Sequence, residues 1–248
     1  MAATESQMLP LGTTAPGFSL PDPDGAMHGL ADNAPAHLVM FICNHCPFVV
    51  HVQDELARLG RDYGPHGVDI VAISANDVST YPQDGPEHMK RFAADNGFTF
   101  PYLYDESQAV AKAYRAACTP DFFLFDADKR LVYRGQLDDA RPGKPVPSDG
   151  RDLRAALDAV LAGRHVMEDQ RASMGCNITT QAANPTDYDR SPPPVAVRSA
   201  APLLRTSPVV GDLTVPVVVS VLAEHVPVVN HPLLVGRLVA VTGLLQVQ

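Results

Sequence analysis

The run His37-Leu-Val-Met-Phe-Ile42 is continuously apolar over strand length, the pattern of a strand buried on both faces. Beyond it, Val49, Val52, Leu56, Leu59 and Tyr63 recur at three- and four-residue spacing with polar residues between them, which predicts one face of an amphipathic helix. Val68-Asp-Ile-Val-Ala-Ile-Ser74 predicts a second buried strand, so residues 37–74 form a βαβ unit with a right-handed crossover. Upstream, Phe18-Ser-Leu20 and Met27-His-Gly-Leu30 flank the turn Pro21-Asp-Pro-Asp-Gly25 and read as a short hairpin. Downstream, helices are expected over 86–96, with Met89, Phe92 and Ala93 inward, and over 107–114, with Val110 and Tyr114 inward. Phe122-Phe-Leu-Phe125 and Arg130-Leu-Val-Tyr-Arg134 flank a polar turn and read as an antiparallel hairpin. A helix over 152–161, with Leu153, Leu157, Val160 and Leu161 on one face, closes an α/β domain with a central mixed sheet flanked by helices.

From about Ser191 the pattern changes. Pro202, Pro208, Pro216, Pro227 and Pro232 interrupt every apolar run and forbid a long helix. The stretch Leu233 to Leu245 carries Arg237 and falls short of the roughly 20 apolar residues that span a bilayer. The expected organisation is a domain over 8–189 and a Val/Pro-rich C-terminal extension over 190–248, to which no functional reading attaches.

A net charge of −9 without clustered Lys or Arg argues against nucleic acid or an anionic membrane as a partner. The N-terminal residues offer neither a basic n-region nor an apolar h-region, so the expected location is the cytoplasm. Four cysteines are too few for a secreted disulfide scaffold, and two of them form the C-x-x-C segment Cys43-Asn-His-Cys46 between the first strand and its helix.

That placement matters because a thiol reacts as its thiolate, which a helix N-terminus and a neighbouring imidazolium both favour. Cys43 is expected at the helix start as the nucleophile, with His45 in support and Cys46 one turn further as the resolving thiol. Pro47 suits the first helical turn. Structural zinc would want a second Cys or Cys/His pair at ligand spacing, so no metal and no cofactor are expected. Soft-metal binding, of copper or zinc, through Cys43, Cys46, His45 and Cys118 is the alternative of a different class. Cys118 reads as a small buried side chain near the active thiols, and Cys176, outside any periodic segment, as a bystander, the alternative being an extra thiol that a mobile segment brings to the site. Expected partners are a disulfide-bearing protein or small molecule and a reductant the sequence does not name.

Cys43-Asn-His-Cys-Pro-Phe48, Val71-Ala-Ile-Ser-Ala-Asn-Asp77, Phe100-Pro-Tyr-Leu-Tyr-Asp-Glu106, Cys118-Thr-Pro-Asp-Phe-Phe-Leu-Phe-Asp126 and Tyr133-Arg-Gly-Gln-Leu-Asp-Asp139 resemble the peroxiredoxin-like, C-x-x-C-bearing branch of the redoxin, or AhpC/TSA, family. The resemblance implies a thioredoxin-like fold, a cis proline at Pro120 and substrate-docking backbone at Thr119. It also raises a thiol peroxidase as an alternative function. Peroxiredoxins carry Pro-x-x-x-Thr-x-x-Cys and a later Arg around the peroxide; with their reactive cysteine on Cys46, those helpers fall on Val39, Cys43 and Pro120. None of the three supplies the family's group.

Overall fold

The computed structural model describes residues 3–179. The expected boundary at 189 and the extension over 190–248 lie outside the described residues.

The apolar run forms β4 (Ala36–Phe41), every residue of which is buried. It pairs in parallel with β5 (Asp69–Ser74) and antiparallel with β8 (Asp121–Asp126). Because it lies mid-sheet, its side chains alternate between two cores: Leu38 and Met40 join one cluster, Val39 and Phe41 the other. With β6 (Tyr102–Tyr104) and β9 (Leu131–Gly135) the five strands run in the order β6-β5-β4-β8-β9. The first core packs α1 (Pro47–Tyr63), α2 (Pro86–Asn96) and α4 (Arg151–Leu161) on one face of the sheet. The second packs α3 (Ala109–Ala113), with Tyr114, and the N-terminal segment containing β2 (Leu20–Pro21) on the other. β2 pairs antiparallel with β3 (Met27–His28), the expected hairpin.

The expected inward residues of α1 are all buried, and Glu55 goes in with them. It does so as a paired charge, accepting from Arg154 Nε of α4 at 2.6 Å, which also fixes how α4 sits against α1. Arg58 of α1 pairs with the other carboxylate oxygen at 2.5 Å, so the buried charge is compensated from both helices.

Four strands were not anticipated. β6 has only three residues and gives too short a pattern to detect. β10 (Met174–Asn177) pairs antiparallel with β1 (Ala3–Glu5) on one side and with β7 (Cys118–Thr119) on the other, a small sheet in the order β1-β10-β7. β1 adds residues ahead of the expected domain start at residue 8. Among the described residues no helix is long and apolar enough to cross a membrane.

Candidate active site

β4 ends at Phe41, and Ile42 to Cys46 lead from the C-terminal end of this central strand to α1, which begins at Pro47. Proline is preorganised for the first helical position and lacks the N–H that would be unpaired there, so the helix starts after Cys46. Cys46 is the N-cap residue, and its carbonyl accepts from Val49 and Val50, both at 2.9 Å. This corrects the expectation that Cys43 opens the helix with Cys46 a turn inside: Cys43 precedes the helix, and Cys46 holds the N-terminal position.

The turn between the two cysteines is clamped rather than free. The Asn44 backbone N–H donates to Asp84 Oδ1 at 2.9 Å and its side-chain amide to the Gln83 carbonyl at 2.8 Å, while the Tyr102 hydroxyl donates to Asn44 Oδ1 at 3.0 Å. Asp84 is fully buried and accepts from Asn76 Nδ2 at 2.8 Å. His45 is half-buried and held against Asp84. Its Nδ1 stands 2.7 Å from Asp84 Oδ2, and its ring stacks on Tyr81 with centroids 4.5 Å apart. Cys43, His45 and Asp84 place donor atoms within 4.8 Å of one another, a set that could hold a cation and that has Asp84 where the sequence offered Cys46 and Cys118.

The Thr119-Pro120 peptide bond is cis, and Thr119 touches both thiols of the C-x-x-C segment. Its hydroxyl is 3.3 Å from Cys43 Sγ and its carbonyl oxygen 3.2 Å from Cys46 Sγ. The structure thus brings Cys43, Cys46, Thr119 and Pro120 together as expected. Cys118 is buried nearby, its thiol directed to the Pro120 carbonyl at 3.7 Å. Burial first, and then the neighbouring Asp121, push its pKa well above the ordinary cysteine value.

The thiol that the sequence reading misplaced is Cys176. It sits on β10 in register with Thr119, and its Sγ is 2.9 Å from Cys46 Sγ. No local signal pointed there, because the two residues are 130 positions apart. Gly175 explains the close approach. A Cβ at that position would fall 2.5 Å from the Thr119 carbonyl carbon and 3.1 Å from Pro120 N, so only glycine lets β10 lie this near the cis-proline loop.

All four cysteines are free thiols and buried. Cys43 and Cys46 titrate as a unit: the remaining S–H hydrogen-bonds whichever sulfur is ionised, so the first proton leaves easily and the second with difficulty. Cys46 is lowered, first by its hydrogen bond with Cys43, against the opposing cost of burial, and further by Cys176 and the Val49 N–H of the first helical turn. Cys43 is correspondingly raised, by Cys46, by burial and by the Asp84 carboxylate. Burial and the adjacent Cys46 push Cys176 up to about 12.

A mixed five-stranded sheet with helices on both faces is a thioredoxin-like fold. Residues 11–134 match the model of the AhpC/TSA family. Over 132 residues the chain is 27% identical to the thiol-disulfide oxidoreductase ResA of Geobacillus thermodenitrificans, covering 52% of this chain and 70% of that protein. The crystal structure of an uncharacterised conserved protein from Geobacillus kaustophilus is 56% identical, with a TM-score of 0.72 over 73% of this chain and 98% of that one. A hypothetical protein from Sinorhizobium meliloti 1021 is 50% identical, with a TM-score of 0.71 over 72% and 99%. The chain belongs to the AhpC/TSA family.

Proposed function

We propose that the chain is a thiol-disulfide oxidoreductase acting by dithiol/disulfide exchange through Cys43 and Cys46. The observation that carries this reading is the pair of thiols at the N-terminus of α1, with Thr119 of the cis-proline loop within reach of both sulfurs. Its likeness to ResA supports the same chemistry.

Both sulfurs are buried, and Cys46 already engages Cys176 at 2.9 Å and the Thr119 carbonyl at 3.2 Å. Cys43 therefore meets the substrate. As its sulfur attacks the substrate disulfide, the Cys46 thiolate takes the Cys43 proton and the Thr119 hydroxyl donates to the sulfur as charge develops. One substrate sulfur leaves as a thiolate and the other remains bonded to Cys43. The leaving thiolate then takes the proton from Cys46, which attacks Cys43 Sγ, closes the Cys43–Cys46 disulfide and releases the second substrate sulfur. A reductant regenerates the dithiol, in a reducing setting such as the cytoplasm.

With dithiothreitol as the electron source, the full chain should accelerate the reduction of insulin disulfides. Replacing either Cys43 or Cys46 with serine should remove the acceleration. Insulin reduction that is unchanged in both variants would contradict the reading.

A further inference from the structure

We propose that Cys176 is a third redox thiol, which attacks Cys46 once Cys43 and Cys46 are oxidised and moves the disulfide to the Cys46–Cys176 pair. The inference rests on the exchange chemistry proposed above and extends it to a residue on a separate strand.

Three observations carry it. Cys46 Sγ is the sulfur that the other two share: it is the partner of Cys43 in the C-x-x-C segment and lies 2.9 Å from Cys176 Sγ. A disulfide bond is about 2.05 Å long, so closing the gap takes roughly 0.9 Å of approach, within the reach of a side-chain adjustment. β10 is also fixed in place, held between β1 and β7 with Cys176 opposite both Ala3 and Thr119. The glycine beside it permits that seating. Cys176 is therefore a preset neighbour of Cys46 and not a chance encounter of a loose segment.

The reaction balances without an outside oxidant. Cys176 Sγ bonds to Cys46 Sγ, the Cys43–Cys46 bond breaks, and the proton lost by Cys176 ends on Cys43. The oxidation level of the chain is unchanged, but Cys43 is a free thiol again. A chain carrying two oxidising equivalents can then still form a mixed disulfide at Cys43, which suits disulfide shuffling as well as reduction. The electrostatics order the steps. In the dithiol state the Cys46 charge adds to burial in holding Cys176 protonated. Oxidation of Cys46 removes that charge and its hydrogen bond, so Cys176 becomes easier to ionise when its target disulfide exists.

The test oxidises full-length protein with oxidised glutathione, alkylates the remaining thiols and maps disulfides by peptide mass spectrometry. The wild type should yield both Cys43–Cys46 and Cys46–Cys176 links, with Cys43 alkylated in the molecules that carry the second. The Cys43→Ser variant should lose two free thiols and form the Cys46–Cys176 link. Retention of the Cys176 thiol in both proteins, with glutathione alone on Cys46 of the variant, would overturn the proposal. The parent reading fails by a different result, a wild type that forms no Cys43–Cys46 link and does not reduce insulin.

Discussion

Gly175→Ala tests the packing on which the thiol cluster depends. The added methyl would meet the Thr119 carbonyl, 2.5 Å from its carbon, and Pro120 N at 3.1 Å, against an ordinary contact of 3.4–4 Å. These are backbone atoms of a buried loop and cannot rotate away, so β10 must move outward from β7. Overpacking of this kind costs about 1–3 kcal/mol, and each ladder hydrogen bond lost adds about 1 kcal/mol. Lower entropy of the unfolded chain returns only about 0.4–1 kcal/mol, which leaves a net loss of roughly 3 kcal/mol. For a domain of this size that corresponds to a melting temperature lower by about 6–12 °C. The chain contains no tryptophan, so far-UV circular dichroism through thermal and urea unfolding is the suitable assay. Gly64→Ala is the control, since its backbone is helical with φ −54° and no atom lies within 4 Å of its added methyl. Gly175→Ala as stable as the wild type would refute the seating of β10 against Thr119.

Two further outcomes follow from the same region. Asp121 is fully buried, and desolvation outweighs its hydrogen bonds with Ser6 and Ser173, raising its pKa to about 7. The raised value means that its contribution to stability is complete below the unfolded pKa of about 3.9 and is lost as pH rises through 7, a change of up to about 4 kcal/mol. Urea unfolding of Asp121→Asn should therefore show a smaller decline between pH 4.5 and 8 than the wild type, and an identical decline would contradict the assignment. Peroxide consumption should be slow, because Val39, Cys43 and Pro120 supply no group to orient the peroxide and each such donor is typically worth about a hundredfold or more in rate. Rapid stopped-flow turnover of hydrogen peroxide without insulin reduction would favour the peroxidase alternative.

The elements legible in the sequence were those whose pattern is local and repeated. β4 and α1 announce themselves because one is buried on both faces and the other has an unbroken 3.6-residue period, and together they place the C-x-x-C at a strand-to-helix junction. The exact start of α1 was misjudged by one turn, although Pro47 marked it, and that error put the helix N-terminus on the wrong cysteine. β10 was invisible for a physical reason: Met174-Gly-Cys-Asn177 has no alternation, and its place is set by a close approach of two backbones that only Gly175 permits. Asp84 was likewise beyond reach. Its role comes from burial beside Asn44 and His45, some 40 residues away in the chain, and nothing in the surrounding Gln83-Asp-Gly85 distinguishes it from a surface turn.

The account turns on Cys43 as the attacking thiol and Cys46 as the thiol that resolves. Full-length Cys46→Ser protein, reduced and then incubated with insulin or another disulfide-bearing protein, should accumulate a mixed disulfide that peptide mass spectrometry maps to Cys43. Cys43→Ser should accumulate none on Cys46. A mixed disulfide trapped on Cys46 alone, or on neither residue, would contradict the account.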